Sequence, residues 1–150
     1  MGQEDRLGCS GVDLTELNIT RPTLVLDRER AVRNIERMTR RAKGAGVFLR
    51  PHFKTHQSVA VGRWFRDAGV GARAVSSVGM ARYFAADGWS DITIAFPVNP
   101  RELAAIAEMA GEVRLGTLVD SIEAVETIDR EVASPLRVWI KVDTGYRRAG

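Results

Sequence analysis

The chain alternates short apolar runs with amphipathic helical segments, and this alternation constrains its fold more than any other feature of the sequence. The apolar runs are rich in Val, Ile and Leu. A short run covers residues 23–26, and five more end at intervals of about 20 to 26 residues, at Arg50, Ser76, Phe96, Val119 and Val142. Apolar runs separated by helices are typical of a parallel β-sheet covered by helices. The sequence therefore predicts an α/β fold.

The glycine pattern separates the two architectures that such an alternation allows. A doubly wound nucleotide-binding fold carries its glycine-rich loop after a strand and before a helix. Residues 69–74 spell G-x-G-x-x-A, but they follow a predicted helix and precede a predicted strand. The chain also lacks the G-x-x-x-x-G-K-[ST] phosphate loop. We therefore predict the alternative, a (β/α)8 barrel of the TIM type, in which catalytic residues lie at the carboxyl ends of the strands.

The length of the chain allows only part of such a barrel. A complete (β/α)8 barrel usually needs ~250 residues, whereas this sequence has 150 residues and five predicted barrel strands. We expect residues 21–150 to form the N-terminal part of the barrel, with strands 6–8 and a C-terminal β-domain lacking from the sequence. Residues 1–20 are expected to form a flexible N-terminal arm.

Composition excludes several classes of protein. The single cysteine, Cys9, rules out an internal disulfide and fits a reducing compartment. No apolar run approaches ~18 residues, and the N-terminus lacks the pattern of a secretory signal. The net charge of +3 is mild and no aromatic and basic interleaving suggests nucleic-acid binding. We predict a cytoplasmic protein with no membrane span and no nucleic-acid partner.

Polar side chains follow the predicted strands, at the rim where the carboxyl ends of a barrel meet. Lys54 is the most informative of them, because lysine is rare here: of 22 cationic residues only Lys43, Lys54 and Lys141 are lysines. A lysine amine at a strand end suits covalent chemistry on a carbonyl compound. It equally suits a structural role, as a helix cap or as a partner of an acid. Position alone leaves both interpretations open.

Two histidines flank Lys54 with the spacing H-x-x-x-H. If the segment is extended, His52 and His56 share one face, which invites a metal interpretation. A zinc site needs three or four ligands, however, and Cys9 is distant. We therefore predict that the histidines are loop residues or tune Lys54, and that the chain holds no metal ligands.

The remaining rim residues each allow two interpretations. Ser76 could bind a phosphate or cap the next helix. Lys141 and Asp143 flank Val142, so they could form an ion pair or belong to a cofactor network. Arg148, in a predicted turn, could be a surface charge or a donor to an anionic oxygen.

Two motifs carry a resemblance to a known family. Residues 50–56 read R-P-H-F-K-T-H, and residues 141–150 match the pattern K-x-D-T-G-x-x-R-x-G. Together with residues 23–27 they resemble the D-threonine aldolase and D-serine dehydratase group of the alanine racemase-like, fold type III pyridoxal phosphate (PLP) enzymes. The resemblance implies that Lys54 is catalytic and forms the internal aldimine with PLP. It also implies that Arg148 binds the cofactor's phenolic oxygen and that Lys141 orients Arg148. His52 and Ser76 complete the predicted cofactor-binding set.

The function implied by this resemblance is a PLP-dependent lyase, aldolase-like or dehydratase-like, that acts on D-amino acids or 3-hydroxy amino acids. An amino-acid racemase and a non-catalytic, barrel-only protein of PLP homeostasis are the alternatives. The resemblance further implies a homodimer and a divalent metal site in a later domain, with ligands outside this chain. The 150 residues alone are expected to be inactive.

Overall fold

Five α-helices and a four-stranded parallel sheet make up the part of the chain, residues 18–150, that the computed structural model describes. The helices are α1 (Arg28–Gly44), α2 (Val59–Asp67), α3 (Val78–Ala85), α4 (Leu103–Glu112) and α5 (Ile122–Glu131). The strands are β1 (Arg73–Val75), β2 (Asp91–Pro97), β3 (Arg114–Val119) and β4 (Arg137–Ile140). Short 3₁₀ turns cover Phe53–Thr55 and Pro100–Glu102.

The strands lie in the order β1-β2-β3-β4, all parallel, so each βα unit places its strand beside the previous one. Helices α3, α4 and α5 pack on the same face of this sheet. Their buried residues form one core cluster with Ile92, Ile94, Leu115 and Val119 of the strands. Because successive strand residues point to opposite faces, the intervening residues such as Thr93 and Gly116 lie on the other face. A consecutive order with these helices on one face is the arrangement of a barrel wall, and it confirms the predicted N-terminal barrel part.

Side-chain caps begin most of the helices, as expected from residues that accept a hydrogen bond from the first helical turn. The cap of α1 is Asp27, which accepts from the Arg30 amide at 2.9 Å. Serines do the same for three other helices: Ser58 for α2, Ser77 for α3 and Ser121 for α5. Asn99 caps the 3₁₀ turn that precedes α4 by accepting from the Arg101 amide at 3.1 Å.

The glycine-rich residues 69–74 lie between the end of α2 and β1, and they do not form a phosphate-binding loop. Gly69 has φ +84°, a left-handed conformation that glycine adopts without strain. Its amide donates to the Arg66 carbonyl and the Val70 amide donates to the Phe65 carbonyl, which closes the last turn of α2. The segment then enters β1, so the structure agrees with the rejection of a nucleotide-binding loop.

Two predicted strands are wrong. Residues 23–26 and 47–50 have no regular secondary structure, and Val47 and Phe48 are largely exposed. Pairing with β1 occurs later, where His52 bridges Ala74 and the Ala74 amide donates to the Pro51 carbonyl at 2.8 Å. Proline has no amide hydrogen and a 3₁₀ turn starts at Phe53, so only this short contact forms. Of the predicted N-terminal arm, residues 1–17 lie outside the described residues, while residues 18–20 are exposed.

Candidate active site

A cavity of about 600 Å³ lies at the carboxyl ends of the strands. Its walls include Leu118 of β3, Pro97 of β2 and the segment that follows β4. Four of the five residues predicted to bind the cofactor line it: His52, Lys54, Lys141 and Arg148. Two sequence motifs that are about 90 residues apart therefore contribute to one concave site, which has the size of an ordinary ligand pocket.

The backbone that carries Lys54 is held from both sides. The Lys54 amide donates to His52 Nδ1 at 3.2 Å, and Gln57 Nε2 donates to the Lys54 carbonyl at 3.3 Å. The neighbouring Phe53 is fully buried and its ring lies 5.1 Å from Phe84 and 5.5 Å from Trp89. This aromatic anchor fixes the 3₁₀ turn, while the Lys54 side chain itself is exposed at the cavity.

The two histidines do not share a face, because the 3₁₀ turn between them rotates the chain. His52 lines the cavity, whereas His56 packs among Phe53, Phe65 and Phe84. The Nδ1 atom of His56 accepts from the Ser58 amide at 3.1 Å, so each histidine caps the backbone two residues ahead. No group of three or more His, Cys, Asp or Glu within residues 18–150 could hold a metal ion.

Folding lowers the pKa of both imidazoles, which favours their neutral forms. Burial lowers the pKa of His52, and the positive charge of Lys54 lowers it further. Burial also lowers the pKa of His56, against the opposing effect of the hydrogen bond from Ser58. Since His52 Nδ1 accepts a hydrogen bond, its proton resides on Nε2. In its neutral form His52 adds no charge to the cavity.

Among the described residues, the cationic side chains at this rim have no carboxylate within salt-bridge distance. Within the part of the chain that the structure describes, Lys54, Lys141 and Arg148 form no salt bridge. Lys141 and Asp143 therefore do not form the ion pair that was one of the two predicted alternatives. The Lys141 backbone amide donates to the Val119 carbonyl at 2.7 Å, which extends the contact of β4 with β3 as far as the cavity.

Ser76 lies apart from the other predicted cofactor residues. It lines a second cavity of about 190 Å³ on the helix-covered side, together with Ser77 and Thr117. Phe96 and Pro97 line both cavities and so form the wall between them. The register of β2 against β3 shifts between Thr93 and Pro97, and such irregularities bend a strand near functional sites. Helix capping falls to Ser77, whose Oγ accepts from the Met80 amide.

A charged cluster that the sequence did not predict lies at the opposite ends of the strands. Asp91, the first residue of β2, is buried and forms salt bridges with Arg50, Arg114 and Arg137. Burial opposes ionisation, but hydrogen bonds from Arg137 and Arg50 outweigh it and lower the pKa of Asp91 to about 2. The available signal was that β3 and β4 each begin with arginine, at Arg114 and Arg137. We call Asp91 with these three arginines the floor cluster.

Comparison with families of known proteins gives a clear match. Residues 26–150 match the model of the alanine racemase N-terminal domain. The D-threo-3-hydroxyaspartate dehydratase of Delftia sp. (strain HT23) is 37% identical over 140 residues, which are 91% of this chain and 37% of that protein. The D-serine dehydratase of Dictyostelium discoideum is 30% identical over 152 residues, 92% of this chain and 38% of the other. The chain thus spans little more than a third of the length of these relatives.

Solved structures agree with the sequence comparison. The Delftia dehydratase superposes with a TM-score of 0.80 at 36% identity, covering 88% of this chain and 36% of that one. The D-threonine aldolase of Filomicrobium marinum superposes with a TM-score of 0.79 at 26% identity, covering 85% of this chain and 36% of that one. No helix within residues 18–150 is long and apolar enough to cross a membrane.

Proposed function

Because the chain belongs to the alanine racemase N-terminal domain family, in the group of fold type III PLP-dependent enzymes, we propose that it carries the lysine-bearing cofactor site of a PLP-dependent lyase. The substrates we assign to it are D-amino acids or 3-hydroxy amino acids. The observation that carries the proposal is the convergence of Lys54, Lys141 and Arg148 on one cavity at the carboxyl ends of parallel strands.

The residues present suit PLP. Its phosphate and phenolic oxygen are anionic, and the cavity offers three cationic side chains without a salt-bridge partner among the described residues. The cavity volume of about 600 Å³ lies within the range of small-molecule sites. PLP, when bound, supplies an electron sink for a carbanion at the substrate's Cα.

Each residue of the cavity then has a defined role. Lys54 would hold the cofactor covalently, because its primary amine, carried by the anchored turn, is a group that can condense with the cofactor's carbonyl with loss of water. Arg148 donates hydrogen bonds to an anionic oxygen, and Lys141 adds a second positive charge. His52 accepts the Lys54 amide hydrogen and so orients the turn. Ser76 lies in the adjoining cavity, behind Phe96 and Pro97, so we assign it only a minor part in cofactor binding.

The names of the relatives indicate the substrate class. The Delftia and Dictyostelium dehydratases are named for D-threo-3-hydroxyaspartate and D-serine, and a 30% identical relative from Arthrobacter sp. is a D-threonine aldolase. All three named compounds are D-amino acids with a hydroxyl on the β-carbon. A lyase on such a compound either eliminates water, leading to a keto acid and ammonia, or cleaves Cα–Cβ to glycine and an aldehyde.

The test is an assay of the full-length protein with PLP. D-threonine, D-serine and D-threo-3-hydroxyaspartate are supplied separately, with and without a divalent metal, and keto acid, glycine and aldehyde are quantified. Release of keto acid identifies a dehydratase, and glycine with aldehyde identifies an aldolase. Racemisation of alanine with neither product would replace the lyase with the racemase alternative. PLP binding without turnover of any of these substrates would favour the non-catalytic alternative.

Further properties belong to the same proposal. We expect the complete protein to be a cytoplasmic homodimer that binds neither nucleic acid nor membranes, with any divalent metal held by residues outside this chain. The division into an arm over residues 1–20 and a barrel part over 21–150 stays a prediction. Trp139 and Ile140 of β4, the outer strand of the sheet, are exposed and would pack against a further barrel strand in the complete protein.

A further inference from the structure

The segment after β4 is folded around one carboxylate. Asp143 Oδ1 accepts hydrogen bonds from the Gly145 amide and from the Arg147 amide, both at 2.9 Å. These bonds hold the pKa of Asp143 below its usual range, with the bond from Arg147 contributing most. One side chain thus satisfies two backbone donors of a turn that belongs to no helix or strand.

The backbone of this turn adopts conformations that need such support. Gly145 has φ +113° and Arg147 has φ +55°, and a left-handed conformation is uncommon for a residue other than glycine. Gly150 has φ +128° and lies against the backbone of Val142 and Asp143, so a Cβ at this position would overlap those atoms. The chain therefore returns to Asp143 after seven residues and forms a compact loop, residues 143–150.

The loop determines which side chains reach the cavity. Tyr146 and Arg148 line the cavity, whereas Arg147, which lies between them, does not. The left-handed conformation of Arg147 and the hydrogen bond from its amide to Asp143 fix this alternation. Tyr146 and Arg148 are themselves exposed and make no side-chain hydrogen bond within the described residues, so their own contacts do not hold them in place.

We propose that Asp143 is a positioning residue: its carboxylate folds the loop 143–150 and thereby aims Arg148 and Tyr146 at the ligand in the Lys54 cavity. This proposal rests on the proposed function only for the identity of the ligand. Asp143 also lines the cavity, but in this role its carboxylate binds two backbone amides and does not contact the reacting atoms. It acts through the backbone, so an asparagine, whose Oδ1 accepts the same two bonds, replaces it better than an alanine.

The first measurement requires no cofactor. In the full-length protein, amide hydrogen exchange at Gly145 and Arg147 is compared among the wild type, Asp143→Ala, Asp143→Asn and the control Asp129→Ala, which removes an exposed charge on α5. We expect Asp143→Ala to accelerate exchange at both amides about tenfold and Asp143→Asn by less than about threefold, because each bond contributes a net stabilisation of ordinary size. Unprotected amides in the wild type, or equal rates in the alanine variant and the control, would overturn the proposal.

The second measurement is PLP affinity. Asp143→Ala is expected to weaken binding about tenfold, Asp143→Asn about twofold, and Asp129→Ala not at all. A wild type that binds PLP and an alanine variant that binds it equally tightly would refute the positioning role. A wild type that binds no PLP would instead remove the proposed function, while the exchange rates would still decide whether Asp143 folds the loop.

Discussion

The two ends of the sheet each carry three cationic side chains, which are paired with a carboxylate at one end and not at the other. At the floor cluster, Arg50, Arg114 and Arg137 all contact the buried carboxylate of Asp91. At the rim, Lys54, Lys141 and Arg148 have no salt-bridge partner among the described residues. Charge that is neutralised internally contributes to stability, whereas charge left without a partner beside a cavity is available to an anionic ligand. The difference assigns stability to the floor and binding to the rim, as in barrels generally.

The residue types follow the same division. The three floor cations are arginines, whose planar guanidinium suits fixed ion pairs with a carboxylate. Two of the three lysines of the chain lie at the rim, where an amine that can lose its proton has a chemical use. Lysine is therefore found at the proposed covalent site, whereas the cations of the floor cluster are all arginines.

Replacing one residue at each end of the sheet by alanine should give the largest difference in the free energy of unfolding. We expect Asp91→Ala to lower the free energy of unfolding by about 3 kcal/mol, because it leaves three arginines without their shared acceptor. Arg148→Ala should change it by less than about 0.5 kcal/mol, since the side chain is exposed and forms no salt bridge with the other described residues. Urea unfolding of the full-length variants measures both values. Equal effects of the two substitutions would abolish the distinction between floor and rim.

Strong acid should weaken the floor cluster. The pKa of Asp91 falls from 3.8 to about 2 on folding, so its contribution is complete above pH 3.8 and is lost as the pH falls through about 2. This linkage amounts to about 2 kcal/mol. The control is Asp91→Asn, which cannot ionise at this site and should show a correspondingly weaker acid dependence of unfolding. Parallel pH curves for wild type and Asp91→Asn would contradict the salt-bridged floor.

A smaller effect is expected at the turn that carries Lys54. His52→Ala removes the acceptor of the Lys54 amide, and we expect PLP affinity to fall about tenfold, whereas His52→Asn retains an acceptor and should cost about twofold. Because folding lowers the pKa of His52, the neutral, accepting form is complete above pH 6.5 and is lost as the pH falls through the lowered value. Titration of PLP binding from pH 8 to about 5 checks this; a pH profile that is identical in wild type and His52→Ala would exclude the cap.

The smallest effect is predicted for Ser76. Its cavity is separated from Lys54 by Phe96 and Pro97, so Ser76→Ala should weaken PLP binding by no more than about threefold. Fluorescence titration of the variant against the wild type provides the measurement. A loss as large as that of Arg148→Ala would show that the two cavities form one site.

Local pattern and long-range contact explain which features could be predicted from the sequence. The helices from α1 to α5 and the strands from β1 to β4 follow from apolar periodicity and capping residues, which are local properties. Residues 47–50 do not form a strand because a strand needs a pairing partner. In this segment of the chain only His52, two residues further on, pairs with β1. The floor cluster joins Asp91 to arginines 41 and 46 residues away, a distance in sequence that no local pattern covers.

The placement of the site residues shows the same division. Lys54, Lys141 and Arg148 line one cavity, as predicted for residues at the rim of a parallel sheet, although no strand directly precedes Lys54. Ser76 was assigned to the same site, but β1 ends at Val75, so strand alternation no longer determines where the next side chain points. The folding of the loop around Asp143 depends on two backbone amides, and residue types alone do not reveal such bonds.

The most direct test of the central claim is to locate the covalent attachment of PLP. Full-length protein is incubated with PLP, reduced with borohydride and digested, and the modified peptides are identified by mass spectrometry. We predict that the cofactor is fixed on Lys54 and on neither Lys43 nor Lys141, and that Lys54→Ala abolishes both the adduct and the visible absorbance of the lysine-bound cofactor. A wild-type protein that carries the adduct at another lysine, or a Lys54→Ala variant that retains the absorbance, would contradict the account.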